Sequence, residues 1–114
     1  MDEQHTVDTV LTALADPRRR QLLELVSRQG EATATALAER LPVSRQAVVK
    51  QLGVLEAAGL VAASRVGREV RYAVRTAPVA TTARWMSELA ADWDRRLGRI
   101  KRLAEAAERH SPSE

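Results

Sequence analysis

The chain has 114 residues, 18 Lys or Arg against 15 Asp or Glu, and no cysteine. That length allows one domain with a modest core, and the missing cysteines exclude disulfides and thiolate metal centres. With no apolar run near the roughly 18 residues of a membrane span and an acidic start, Met1-Asp2-Glu3-Gln4-His5, where a signal peptide is basic, a cytoplasmic protein is expected.

Val7, Val10, Leu11 and Leu14 repeat at i, i+3, i+4 and i+7, which predicts a short amphipathic helix within residues 6–15. Asp16 and Pro17 then make an N-cap and a preorganised first helical position. A second helix is expected from Arg18 to Arg28, burying Leu22, Leu23, Leu25 and Val26 and closed by Gly30. Arg18, Arg19 and Arg20 lie at the unfavourable end of its dipole. They read as a solvated face, with Arg19 or Arg20 in a structural ion pair. Thr33 caps a third helix over about Ala34 to Leu41, with Leu37, Ala38 and Leu41 inward, and Pro42-Val43 breaks the chain.

Ser44 then opens a fourth helix that Gly59 ends. Val48, Leu52 and Leu55 fall on one face at i, i+4 and i+7. Arg45, Gln46, Val49, Lys50 and Gly53 fall on another. An anchored back with Arg, Gln and Lys in front suits the DNA major groove, where such side chains bond guanine and adenine edges. The plain alternative is an amphipathic surface helix, because periodicity reports burial and nothing more. Two short helices joined by a tight turn, at 33–58, form a helix-turn-helix, whose second member reads the groove.

Over residues 60–75 the period changes to that of strands, Leu60 to Arg65 and Glu69 to Val74 around Val66-Gly67-Arg68. Such a hairpin beside a helix-turn-helix is a wing, and Arg65, Arg68 and Arg71 are placed to meet phosphates or a minor groove. A charged hairpin that only keeps the chain soluble is the alternative. The wing is favoured because the hairpin directly follows the candidate reading helix, and the basic surplus lies in the segment that holds that helix: residues 17–75 carry eleven Lys or Arg and five Asp or Glu, residues 1–16 none and four.

A long helix is expected over residues 78–109, with Trp85, Leu89, Trp93, Leu97 and Ile100 recurring every three or four positions and Met86 beside them. At 1.5 Å per residue it extends roughly 45 Å, more than a small domain buries against itself. Two tryptophans on such a stripe suggest a partner surface. The expected interface of a homodimer therefore combines Val7, Val10, Leu11 and Leu14 with Trp85, Leu89, Trp93, Leu97 and Ile100. A helix folded back over the monomer core is the alternative. Residues 1–110 are read as one domain and 111–114 as a disordered tail.

Several motifs resemble those of one family. The run Leu14-Ala15-Asp16-Pro17-Arg18-Arg19 is similar to the opening of the ArsR-type winged-helix repressors. Leu37-Ala38-Glu39-Arg40-Leu41 with Val43-Ser44-Arg45-Gln46-Ala47-Val48 resembles their helix-turn-helix core. Leu52 through Val61 continues in register, and Gly67-Arg68 through Arg71-Tyr72 match their wing. The resemblance covers about residues 6–75 and implies a mainly α fold with a small β-hairpin, a winged helix-turn-helix with N- and C-terminal dimerisation helices. It implies a DNA-binding homodimer, usually a repressor, on a near-palindromic operator. By matched position the groove-facing residues are Arg45, Gln46, Val49 and Lys50; Ser44 is counted with this major-groove set, and Thr33, Arg65, Arg68 and Arg71 are the expected phosphate and wing contacts. Val49 stands where a Ser is usual, Gln51 where a His is frequent and Gly53 where a basic residue is usual, which bears on the operator bound.

Metal sensing, the family's best-known activity, is not expected. Where metal-sensing members read ELCVCDL, this chain has Glu31-Ala32-Thr33-Ala34-Thr35-Ala36-Leu37, and Thr hydroxyls are poor ligands for soft metals. Residues 78–109 hold no His. No metal, no cofactor and no catalytic constellation is predicted, so an enzyme is not expected. Two alternatives stay open: a protein-interaction module docking through Trp85 and Trp93, and a repressor released by a small organic effector at the dimer interface.

Overall fold

The computed structural model describes residues 2–110. Helix α1 (Glu3–Ala13) begins earlier than the apolar repeat alone predicts, because Asp2 caps it: its Oδ1 accepts from the His5 N–H at 2.7 Å. Helix α2 (Pro17–Gln29) starts as expected, with the Asp16 carboxylate accepting from the Arg18 N–H at 2.8 Å and Pro17 in the first turn.

Strand β1 (Ala32–Thr33) follows, then α3 (Ala34–Ala38), α4 (Arg45–Ala57), the hairpin strands β2 (Val61–Val66) and β3 (Glu69–Val74), and α5 (Thr76–Arg109). Helix α3 is shorter than expected. Its last turn loosens into i→i−3 bonds, Arg40 N–H to Leu37 C=O at 3.1 Å and Leu41 N–H to Ala38 C=O at 3.4 Å. Pro42 is the cause, since it disfavours the helical conformation at the residue before it.

The sheet has three antiparallel strands in the order β1-β3-β2. Ala32 pairs with Tyr72 and Thr33 with Arg71, and Val61 to Val66 pair with Val74 to Glu69. A two-residue turn joins the hairpin. Gly67, at φ 64°, is its only positive-φ residue, the pattern of a II′ turn.

The residues up to Thr82 and those from Ala83 onward form two compact units. In the first, Leu22, Val26, Leu37, Val48, Leu52, Leu55, Leu60 and Val61 make the core, with Val10 and Ala13 joining from α1. Helices α2 and α3 thus pack against the side of α4 that the sequence marked as buried. The second unit is helical up to Arg109, the main length of α5, and leaves Met86, Leu89, Trp93, Leu97, Ile100 and Leu103 exposed. No helix of the described residues is long and apolar enough to cross a membrane.

The expected interface needs one correction. Val7 and Val10 are 0% and 1% exposed within the single chain, so neither side chain has surface left to give a partner. The repeat places Val7, Val10, Leu11 and Leu14 on one side of α1, but the helix turns the Val7–Val10–Ala13 edge of that stripe inward. Leu11 stays exposed and Leu14 half-buried. Trp85 is half-buried.

Candidate nucleic-acid interface

Helix α4 is held from behind and open in front. The Ser44 hydroxyl accepts from the Ala47 N–H at 3.1 Å, which satisfies one of the first-turn donors. Val48, Leu52 and Leu55 are buried, while Arg45, Gln46, Val49 and Lys50 are exposed on the other side. Gly53 belongs to that outer side, and a Cβ built there meets no atom within 4 Å.

The C-terminal end of α4 is closed by two bonds around Gly59, whose φ is 77°. Leu60 N–H donates to Leu55 C=O and Gly59 N–H to Glu56 C=O, each at 2.9 Å, the Schellman arrangement. Leu60 is fully buried and its carbonyl accepts from Arg75 N–H at 2.9 Å. The base of the hairpin is therefore fastened to the end of the helix it follows.

The three wing arginines are not equivalent. Strand alternation puts Arg65 on the sheet face that carries Val61, Tyr72 and Val74, and Arg71 on the opposite face. Arg71 is engaged with Glu69 at 3.2 Å and Glu31 at 3.8 Å. Arg65 and Arg68 are exposed and have no ion-pair partner among the described residues. Thr33 is half-buried, and its hydroxyl accepts from the Ala36 N–H at 3.1 Å as the N-cap of α3.

Two contacts of this surface are not visible from periodicity. Arg45 Nε donates to the Thr35 hydroxyl at 3.1 Å, so the first side chain of α4 is tied to α3. Arg19, whose side chain is 18% exposed, lies 3.5 Å from Asp16, donates to Gln51 Oε1 at 3.2 Å and donates to the Ala13 carbonyl. Arg20 donates to the Leu14 carbonyl at 2.6 Å. The ion-pair expectation for Arg19 is met and its solvated-face reading is corrected, whereas Arg20 is exposed as expected and still donates to a backbone carbonyl. Both stand at the unfavourable end of α2 because they serve the C-terminal carbonyls of α1, where the dipole favours a cation.

Among the described residues, no three His, Cys, Asp or Glu side chains come together in a metal-holding group. The hydroxyls at the two positions matched to metal-binding cysteines already have work: Thr33 caps α3 and Thr35 holds Arg45.

Comparison with known proteins agrees with this geometry. A family model described as a helix-turn-helix domain matches residues 14–62. The transcriptional repressor SdpR of Bacillus subtilis (strain 168) is 29% identical over 80 residues, covering 70% of this chain and 88% of the relative. An ArsR-like transcriptional regulator from Rhodococcus sp. RHA1 superposes with a TM-score of 0.78 at 44% identity, over 89% of this chain and 94% of that one. The homodimeric winged helix-turn-helix DNA-binding domain of a possible ArsR-family regulator from Mycobacterium bovis gives 0.63 at 30% identity, over 78% and 81%. An exposed reading face, a fastened wing and these likenesses converge: the chain belongs to the ArsR family of winged helix-turn-helix proteins, DNA-binding transcriptional regulators rather than a class of enzymes.

Proposed function

We propose that the protein is a homodimeric, cytoplasmic repressor that binds a near-palindromic operator, with residues 1–110 acting as one DNA-binding module. Each subunit inserts the N-terminal part of α4 into a major groove, with Ser44, Arg45, Gln46, Val49 and Lys50 facing the DNA. Two-fold symmetry sets the two helices about 34 Å apart, or a multiple of that. The observation that carries this reading is the division of α4 into a buried Val48, Leu52 and Leu55 side and an exposed Arg45, Gln46, Val49 and Lys50 side. Gln46 suits adenine, Lys50 guanine, and Val49 the methyl group of thymine. Arg65 and Arg68 meet the flanking backbone, and Arg71, with two carboxylates beside it, contributes less.

The subunits join through α5. Its exposed Met86, Leu89, Trp93, Leu97 and Ile100 repeat at intervals of three and four residues, a continuous apolar strip on a charged helix. Trp85, Leu11 and Leu14 belong to the proposed interface as secondary contacts. Repression responds to no metal through the Thr33 and Thr35 positions. Selection of bound sequences from a random DNA library, with oligomeric state measured alongside, tests the proposal. It expects a two-fold symmetric consensus and an affinity that falls steeply with salt; no enrichment, or binding indifferent to salt, refutes it.

A further inference from the structure

Between the start of α4, helix α3 and the tip of the hairpin lies a cleft of about 500 Å³, lined by Thr35, Arg45, Val49, Arg68, Glu69 and Tyr72 among others. Two of these are exposed arginines from different elements, Arg45 from α4 and Arg68 from the turn of the wing. Neither has an ion-pair partner among the described residues. The one carboxylate there, Glu69, lies 3.2 Å from Arg71. The cleft thus presents two unpaired cations beside a carboxylate that is already matched.

The orientation of Arg45 is the second observation. Its Nε is committed to the Thr35 hydroxyl at 3.1 Å, which leaves the two Nη groups as its free donors and holds the guanidinium on the α3 side of the reading helix. A side chain tied back in this way reaches base edges only by breaking that bond. A phosphate at the groove margin can be met without breaking it, and the paired Nη donors suit phosphate oxygens. Gln46 and Lys50, exposed on α4, make no side-chain hydrogen bond or ion pair with another described residue.

We infer that this cleft seats one DNA backbone phosphate, gripped by Arg45 from the reading helix and Arg68 from the wing, with Thr35 as the positioning residue for Arg45. Arg45 then sets the register of the helix on the duplex, and sequence choice falls to Gln46, Val49 and Lys50. The inference rests on the proposed DNA-reading role of α4 and divides the labour within it.

The test uses the full chain, its selected operator, base-substituted versions of that operator, and operators with single methylphosphonate linkages, which remove one backbone charge at a time. Arg45→Ala and Arg68→Ala are each expected to weaken binding on the order of tenfold, by the same factor for every base variant, and to lower the salt slope by about one. One methylphosphonate position per half-site should weaken the parent and leave both variants indifferent. Thr35→Val should lessen the parent's sensitivity to that same linkage while the base preferences stay fixed, an effect that a merely structural role for Thr35 does not produce. Thermal melting of each variant checks that the fold is kept. The inference is overturned if Arg45→Ala flattens the preference at one base position, or if the two arginine variants lose sensitivity to different phosphates. A parent chain that selects no DNA at all overturns the DNA-reading role itself, a result distinct from either of these.

Discussion

Replacing Trp93 by Ala puts the proposed dimer to its hardest test. Trp93 is 59% exposed in the single chain, near the middle of the strip from Met86 to Leu103. A tryptophan buries 150–250 Å² in full, so covering the exposed part removes on the order of 100–150 Å² from water. At 25 cal/mol per Å² that is about 3 kcal/mol per subunit, less what an alanine retains. Two-fold symmetry counts the change twice, which gives about 4–6 kcal/mol per dimer, or roughly a thousandfold or more in Kd. Alanine is the best helix former, so α5 itself should not melt. Sedimentation equilibrium over a range of concentrations, with far-ultraviolet circular dichroism as control, reads the result. A variant that associates within about threefold of the parent, or a parent that is monomeric at tens of micromolar, would refute the reasoning.

Other substitutions probe separate parts of the interface. Ser44→Ala removes the cap of α4 and should lower stability by about 1 kcal/mol, a fall of several degrees in Tm by thermal melting. Ser44→Asp keeps the capping oxygen but sets a negative charge against the phosphates, so it should keep the melting temperature and lose operator binding in a mobility-shift assay. Lys50→Ala should relax the choice at one base position by about 1–3 kcal/mol, measured by competition among operator variants. Arg19→Ala should lower the free energy of urea unfolding by about 2 kcal/mol, because its partly buried guanidinium serves the Ala13 carbonyl and Gln51 at once; Arg20→Ala, at an exposed site, should cost less.

Much of the fold could be read along the chain because its signals are local. Asp16, Thr33 and Ser44 each cap the helix that they precede, and Gly59 and Gly67 each take the positive φ that their turns require. The buried face of α4 follows from spacing alone, as does the exposed strip of α5. The remainder depends on partners distant in sequence. Strand β1 is two residues long, too short to leave a period, and exists because β3 offers it an edge. Arg19 and Arg20 are explained only by the end of α1 lying next to them. Which edge of the α1 stripe turns inward was undetermined, since four apolar positions cover a wide arc and packing chose Ala13 over Leu11. The tie between Thr35 and Arg45 joins residues ten positions apart across the helix-turn-helix. The expected tail, 111–114, lies outside the described residues.

The closure at Gly59 and Leu60 bears on how operators can vary. Because a buried leucine both ends α4 and accepts the bond at the hairpin's base, the helix and the wing proposed to meet DNA are held at a fixed spacing, a ruler of set length. Such a ruler tolerates changed letters within a half-site more readily than an added or deleted base pair, which would put the two contacts out of step along the double helix. Evolution of new targets would then run through substitutions on the outer side of α4, with the footprint of each half-site conserved in length.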